Sequence, residues 1–390
     1  MKHVAVGQAG GPTAVINATL AGFVESVKEQ CQLTFVEGGY QGLVEENFLY
    51  GGSEVIDWIL ENQSVPGACL QSGRYPFNDE AIAQAVHSLK KHQIDTLVFI
   101  GGNGTMEALL KVKKEAERQG YTLQVLGLPK TVDNDLGGTD HAPGFASAAR
   151  SIAQTTKDLS RDLYSMKNFE QVRVLETMGR NAGWLAAAAG AWREYEEEGP
   201  HYIALPEQPL NKDTLLTTVK EALSSYGYAI VVVSEGVQWE QGSQIELNHV
   251  GGRSILGGIS KEISEFIREE LHVNTRAELL GMNQRADTSS LSPIDTYEAY
   301  QVGREGGRWV LEGYDAVMVA VGRKASNYYT MEIKPVKLEN VIAEGERLLP
   351  AQFITDLKAY YQWLTPLLGG DRPSYPPLSK RRVEYSEHQS

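Results

Sequence analysis

Short apolar runs that stop at glycine-rich turns recur along this chain, and a stretch of helical period follows each of them. Val4 to Val6 runs into Gly7-Gln8-Ala9-Gly10-Gly11-Pro12-Thr13, then a helix predicted to begin near Ala14. Asp95 to Ile100 runs into Gly101-Gly102-Asn103-Gly104-Thr105-Met106-Glu107, then a second helix. Leu123 to Leu128 runs into Pro129-Lys130-Thr131-Val132-Asp133-Asn134-Asp135-Leu136 and then Gly137-Gly138-Thr139. Strands buried on both faces read as unbroken apolar runs, because helices cover a parallel sheet on either side. The alternation therefore predicts an α/β fold: two Rossmann-like, doubly wound α/β domains sharing a cleft.

Further runs repeat the pattern. Leu33 to Val36 ends at Glu37-Gly38-Gly39-Tyr40-Gln41-Gly42, and Leu70-Gln71-Ser72-Gly73-Arg74-Tyr75-Pro76 reads as another strand-end turn. Glu80 to His92 is helical by period. Val172 to Leu175 ends at Glu176-Thr177-Met178-Gly179-Arg180-Asn181-Ala182-Gly183-Trp184, and Leu185 to Ala191 reads as a tightly packed helix. Ile203 to Leu205 and Ala229 to Val233 are further strands, the latter closing at Ser234-Glu235-Gly236. A helix is expected over Ser260 to Glu270 and another from Ile294 or Asp295 through Trp309. Ala316 to Val321 is the last clear strand, and the tail beyond Gly369 reads as extended.

The 390 residues suffice for one large or two medium cores, and 42% hydrophobic with 22% charged residues is ordinary for a globular chain. A formal net charge of −14 argues against nucleic acid and anionic membrane as partners. Two cysteines, Cys31 and Cys69, without a Cys-x-x-Cys, fit a reducing cytoplasm and exclude a cysteine-based metal site. The first residues lack the apolar run of a signal peptide and no window suggests a membrane span, so the expected location is cytoplasmic.

Ligands of open α/β sheets sit beyond the carboxyl ends of the strands. A strand, a glycine turn and a helix form a phosphate cradle, with backbone N–H groups and the helix dipole facing an anion. The turns at Gly10-Gly11 and at Gly102-Asn103-Gly104-Thr105 have this form, although a plain βα turn reads the same way in isolation. The first is not a Walker A loop, since no Gly-Lys-Ser/Thr follows. Lys130 to Asp135 packs one lysine and two carboxylates into six residues, which is turn chemistry and also acid–base chemistry. Tyr40, an aromatic beside glycines, is a candidate to stack on a base.

With Pro-Lys-Thr-Val-Asp-Asn-Asp followed by Met178-Gly179-Arg180, the chain resembles the phosphofructokinase family, from the Gly10-Gly11 turn to about Arg323. NAD kinases and diacylglycerol kinases share Gly-Gly-x-Gly-Thr, so that motif alone does not separate the classes. Gly-Pro-Thr-Ala-Val-Ile-Asn, Met-Gly-Arg-Asn-Ala-Gly-Trp and Val-Ser-Glu-Gly-Val look closest in style to the pyrophosphate-dependent branch. The resemblance implies a phosphoryl-donor-binding domain over 1–144, completed by part of 285–325. It implies a sugar-binding domain over 145–284, with 326–390 as an extension packing on the core. It also implies residue roles. Asp133 matches the general base for the sugar C1 hydroxyl, and Asp135 a carboxylate that orders the site and its Mg²⁺. Gly10, Gly11 and Arg74 match groups at the transferring phosphoryl, Lys130 a catalytic cation, and Thr131 a hydroxyl near both substrates. Gly102, Asn103, Gly104, Thr105 and Tyr40 fall at the donor, with Asn103 also at a metal position. Met178, Gly179, Arg180 and Glu235 match the sugar site, and Arg276 and Arg285 the anchors of the 6-phosphate. Phosphoryl transfer needs in-line positioning, distributed positive charge and a base at the acceptor hydroxyl, which this set supplies.

Two positions bear on the donor. Pyrophosphate-dependent relatives usually carry Asp where this chain has Gly104, and a carboxylate there would crowd an α-phosphate. Glycine therefore implies ATP, with Mg²⁺, although Lys130 is the residue usual in pyrophosphate users. Two positions bear on the acceptor. Relatives carry a basic residue, often serving a neighbouring subunit, where this chain has Gln171, and His or Tyr where it has Met282. Arg173 lies two residues beyond Gln171 as a candidate substitute. Each lost charge-assisted contact weakens a dianion by roughly 1.5–3 kcal/mol. The first expectation is fructose 6-phosphate, with 6-deoxy-6-sulfofructose, whose sulfonate is a monoanion, as the alternative acceptor. Two more readings stay open: a pyrophosphate-dependent phosphofructokinase and a non-catalytic sugar-phosphate sensor. Allosteric relatives place arginines on the first helix where this chain has Leu20 and Val24, so little effector control is expected. The family forms dimers and tetramers, so a homodimer or homotetramer is expected.

Overall fold

A computed structural model describes every residue except Arg74, Ser243, Ile245, Gly251, Gly252, Asn327 and 384–390, together with the side chains of 246–250 and 253–255. The chain forms two compact units, Met1–Phe145 with Pro293–Arg347, and Ala146–Ser292 with Leu348–Ser390. Among the described residues the strands in chain order are β1 (Lys2–Gln8), β2 (Cys31–Val36), β3 (Phe48–Tyr50), β4 (Thr96–Gly101), β5 (Gln124–Pro129), β6 (Val172–Thr177), β7 (Tyr202–Ala204), β8 (Ala229–Ser234), β9 (Glu246–Val250), β10 (Arg253–Leu256), β11 (Thr275–Leu279), β12 (Val317–Arg323) and β13 (Met331–Lys337).

In the first unit seven strands form one sheet in the order β13-β12-β5-β4-β1-β2-β3. The inner pairs are parallel, and the two edges, β12 with β13 and β2 with β3, are antiparallel. Alternate side chains feed two cores, as the pleat requires. Ala5, Leu97, Phe99 and Val125 pack under Ile82, Val86 and Leu89 of helix Asp79–Lys91 and under Met106, Leu109 and Val112 of helix Asn103–Arg118. Val4, Val6, Val98, Ile100, Leu126 and Leu128 face helix Ile16–Val27 and helix Pro293–Glu312. Leu20 and Val24 are fully buried in this second core. Burying one such aliphatic side chain stabilises the fold by roughly 1.5–3 kcal/mol, which explains why neither residue is an arginine here.

The register fixes where the functional turns fall. Gln8 is level with Ile100, and Gly101 with Pro129. Strands β1, β4 and β5 therefore end side by side at one edge, and the turns that follow them are neighbours.

The second unit holds a four-stranded, fully parallel sheet in the order β11-β6-β8-β7. Val172, Val174, Val231 and Val233 pack against Leu215 and Val219 of helix Lys212–Tyr226 and Ile259, Ile263 and Ile267 of helix Ile259–Leu271. Thr177 is level with Ser234, and Leu279 with Glu176, so these strand ends are also aligned. Trp184, Phe353, Tyr360 and Trp363 form an aromatic cluster that fixes helix Leu357–Leu368 on this unit.

Both units are Rossmann-like α/β layers, as the alternation of runs predicts. Several local expectations are corrected. Leu70 ends no strand; it lies in a turn whose amide is held by Gln8 Oε1 at 2.9 Å. The first helix begins at Ile16 rather than near Ala14. The run Leu185 to Ala191 is helical only over Trp184–Ala188, and the packing of Tyr361 against Gly190 just beyond leaves no room for a Cβ there. Ala316 to Val321 is not the last strand, since β13 follows it. The stretch from 326 onward divides between the two units at Arg347.

Candidate functional site

In the first unit the site is built on the aligned ends of β1, β4 and β5. After β1, Gly10 adopts φ +75°, a left-handed backbone that favours glycine, and its carbonyl accepts from Ser72 Oγ at 2.6 Å. Arg74, two residues beyond Ser72, lies outside the described residues. After β5, Lys130 is buried and its Nζ donates to the Gly11 carbonyl at 2.6 Å. An ammonium is thereby fixed directly against the glycine turn.

After β4 the chain enters helix Asn103–Arg118, with Gly102 as its N-cap. The amides of Thr105 and Met106 bond Gly102 O, whereas those of Gly10, Gly11, Asn103 and Gly104 make no backbone hydrogen bond among the described residues. Two aligned turns thus leave backbone donors without backbone partners, those of Asn103 and Gly104 at a helix N-terminus, the arrangement that binds phosphate. A Cβ added to Gly104 would meet no atom within 4 Å, so the side beyond it is open.

The carboxylate turn is held from within and from both flanks. Thr131 Oγ1 accepts from the Asp133 amide at 3.2 Å and donates to Asp135 Oδ1 at 2.9 Å. Asn134 takes φ +53°, and its buried Oδ1 accepts from the Ala142 amide at 3.2 Å. That reversal at Asn134 turns the two aspartates away from the strand direction. Asp135 O accepts from Asn103 Nδ2 at 2.8 Å and from the Arg347 amide at 2.8 Å. Burial raises the pKa of the Asp135 carboxyl, and the Thr131 hydroxyl opposes that rise. A desolvated carboxylate of this kind favours a cation beside it.

Among the described residues no group of three or more His, Cys, Asp or Glu side chains could hold a metal ion alone. Mg²⁺ takes one or two carboxylates and completes its shell from phosphates and water. Asp135 is the carboxylate the turn offers. Asn103, expected at the metal, instead directs its amide to the backbone of the turn, donating to Asp135 O and accepting from the Gly137 amide at 3.4 Å.

Tyr40 differs from its expected role. Its ring stacks on Phe77 at 4.6 Å and on Phe99 at 5.2 Å between centroids, as part of the core below the sheet edge. A ring already stacked on two phenyls has no face to offer adenine.

In the second unit the loop after β6 carries Met178, Gly179 and Arg180, and the loop after β8 carries Glu235 and Gly236. The Glu235 amide donates to Thr177 O at 2.9 Å, and Ser234 Oγ donates to Gly179 O. A Cβ on Gly236 would lie 1.6 Å from Arg180 O, so only glycine permits this approach of the two loops. Gln244 Nε2 bridges the same two carbonyls, Arg180 O and Gly236 O, at 3.1 Å each. Buried Gln284 accepts from the Met178 amide at 3.0 Å and donates to Gly281 O at 2.7 Å, tying the Met282–Arg285 turn to the Met-Gly-Arg loop. Gln244 and Gln284 carry no sequence signal, since a glutamine in a polar turn reads as surface.

The expected 6-position anchors divide. Met282 is exposed, and Arg285 follows it on the short helix Asn283–Ala286. Gln171 has both ends of its amide engaged, donating to Lys167 O at 2.9 Å and accepting from the Asn274 amide at 3.0 Å. Arg173, the candidate substitute, is buried and committed: Nε bonds Glu170 Oε1 at 3.0 Å and NH1 bonds Asp162 at 2.8 Å. Arg276 is half-exposed on β11, level with Arg173, and its Nε meets Glu170 Oε2 at 2.9 Å. Glu170 thus bridges two arginines.

Among the described residues no helix is long and apolar enough to cross a membrane. Residues 3–310 match the model of the family described as Phosphofructokinase. A protein of Alkalicoccus urumqiensis named sulfofructose kinase is 46% identical over 377 residues, covering 97% of each chain. A pyrophosphate–fructose 6-phosphate 1-phosphotransferase of Methylococcus capsulatus is 34% identical, covering 97% of this chain and 94% of its own. The crystal structure of a pyrophosphate-dependent phosphofructokinase from Marinobacter aquaeolei superposes with a TM-score of 0.84 at 31% identity, over 97% of this chain and 94% of that one. Aligned glycine turns, a carboxylate turn beside them and these relatives lead to one conclusion: the chain belongs to the phosphofructokinase family and is a phosphotransferase acting on a sugar hydroxyl.

Proposed function

We propose that this protein transfers the γ-phosphoryl group of ATP to the C1 hydroxyl of 6-deoxy-6-sulfofructose. Asp133 takes the hydroxyl proton as the C1 oxygen bonds to the γ-phosphorus, and the bond to the bridging oxygen breaks to leave ADP. Lys130 and the backbone donors at Gly10, Gly11, Asn103 and Gly104 hold the phosphates in line and receive the charge that builds on the leaving oxygens. Mg²⁺, held by Asp135 and the donor's own phosphates, would supply charge neutralisation. Met178, Gly179, Arg180 and Glu235 bind the sugar, and Arg276 and Arg285 its 6-substituent.

One observation carries the acceptor reading. The position that is basic in relatives holds Gln171, whose amide is closed on backbone groups, while nearby Arg173 is locked by Glu170 and Asp162. Among the described residues neither Gln171 nor Arg173 offers a cation to a second negative charge. The relative named sulfofructose kinase supports the same acceptor and reverses the order of the two sugars read from the sequence. The open space beyond Gly104 supports ATP as donor. Fructose 6-phosphate is the second reading, favoured by the presence of Arg276 and Arg285 and by relatives named for that sugar.

The test is kcat/KM for both sugars with ATP and with pyrophosphate, in Mg²⁺. The sulfonate with ATP is expected to lead. A tenfold preference for fructose 6-phosphate overturns the acceptor, and turnover with pyrophosphate alone overturns the donor.

A further inference from the structure

We infer that Glu170 is a specificity-determining residue that sets the charge the acceptor's 6-substituent can carry, by half-neutralising the anchor Arg276. The inference rests on the proposed role of Arg276 at that substituent. Glu170 stands two residues before β6, buried, with its side chain 7% exposed. One oxygen takes Arg173 Nε and NH2 at 3.0 and 2.8 Å, and the other takes Arg276 Nε at 2.9 Å. Asp162 completes the group on Arg173. Two cations meet two carboxylates, so the cluster is electrically neutral.

Packing alone does not require this bridge. The Arg173–Asp162 contact already compensates the buried guanidinium in part, and Arg276 has a side chain 56% exposed that water could solvate. What the bridge does is fix Arg276 through Nε. The Arg276 side chain is 56% exposed, so a ligand can reach its guanidinium. An arginine held this way presents hydrogen bonds with little net charge. A sulfonate offers three acceptor oxygens and one negative charge, which matches such a partner. A phosphate dianion offers similar oxygens and one charge more, and that extra charge faces the Glu170 carboxylate. At about 8 Å and an effective dielectric of roughly 20–40, an additional charge is disfavoured roughly 5- to 30-fold.

The experiment measures KM and kcat for 6-deoxy-6-sulfofructose and fructose 6-phosphate, with ATP and Mg²⁺, in the wild type, Glu170→Gln and Glu170→Asp. Glu170→Gln is expected to lower the KM for fructose 6-phosphate about tenfold relative to that for the sulfonate, with the kcat ratio unchanged. Glu170→Asp, which keeps the charge, keeps the wild-type ratio. Because Glu170→Gln strands Arg173, the double variant Glu170→Gln/Arg173→Leu removes the buried pair together; it takes away one charge of each sign, leaves the cluster neutral, and is expected to keep the wild-type ratio. A KM ratio within twofold of wild type in Glu170→Gln, or a tenfold shift in the double variant, overturns the inference. Failure of the wild type to turn over the sulfonate refutes the proposed acceptor instead. Glu170 is then read on fructose 6-phosphate alone: a tenfold lower KM in Glu170→Gln supports the inference, and an unchanged KM overturns it.

Discussion

Gly104→Asp tests the donor reading with an internal control. Gly104 is exposed at the second position of helix Asn103–Arg118, and a Cβ there meets nothing within 4 Å, so the substitution disturbs no packing. A carboxylate in the first turn of a helix interacts favourably with the helix dipole by about 0.3–1 kcal/mol, and replacing glycine adds a few tenths. The melting temperature should therefore hold or rise by about a degree or two. The effect on the donor is opposite in sign. Placed about 5.5 Å from an α-phosphate at an effective dielectric of about 20, the new charge costs about 3 kcal/mol, which is roughly 150-fold in kcat/KM. Pyrophosphate has no third phosphoryl group and escapes most of that penalty. The assay is kcat/KM for ATP and for pyrophosphate at fixed sugar, alongside a thermal melt. If the melt is unchanged and kcat/KM for ATP stays within threefold of wild type, the donor does not run past Gly104 and the reasoning fails.

Three further substitutions probe the base, the buried carboxylate and the sugar loop. Asp133→Ser should lower kcat by about 10²- to 10⁴-fold while donor affinity by calorimetry stays within about threefold; a kcat within tenfold of wild type removes Asp133 as the base. Asp135 has a folded pKa raised above its unfolded 3.8, so its contribution to stability is present below 3.8 and lost as pH rises through the folded value. Asp135→Asn should accordingly melt above wild type at pH 7, with the difference vanishing below pH 3.8, while activity falls; equal melts at pH 7 contradict this. Gly236→Ala drives a methyl into Arg180 O and should raise the sugar KM at least tenfold, with donor affinity in the other unit unaffected; an unchanged sugar KM separates this loop from the acceptor.

The sheet frame was legible because β1, β4, β5 and β8 each contain an apolar run buried on both faces, and Val172, Val174 and Leu175 mark β6 around a buried Arg173. The edges were not. β13 alternates Met331 and Ile333 with Glu332 and Lys334, but Pro335 interrupts the pattern, and a proline is tolerated only because the strand lies at the edge. β11, Thr-Arg-Ala-Glu-Leu, carries its charges outward and gives no apolar run. At the site the backbone-dictated parts were readable, namely the glycine turns and the Lys130 to Asp135 segment. What side chains do across long separations was not. Tyr40 fits a stacking platform by position, and only the fold brings Phe77 and Phe99 to it. Arg173 fits an anchor by position until Asp162 and Glu170 close on it.

These long-range pairings also explain how a chain of net charge −14 can serve two anionic substrates. At the proposed donor end, the donors among the described residues are Lys130, fixed against the Gly11 carbonyl, and backbone amides, those of Asn103 and Gly104 at a helix N-terminus. Backbone donors stabilise phosphate oxygens without adding to the net charge. At the acceptor end the arginines are side chains, and carboxylates do compete for them. Glu170 and Asp162 take up Arg173 entirely and Arg276 in part. On the proposed assignment the donor cradle draws little on cationic side chains, whereas Arg173 and Arg276 are shared with carboxylates. A substitution among these carboxylates is then expected to change the proposed acceptor preference and to leave the proposed phosphoryl transfer unchanged.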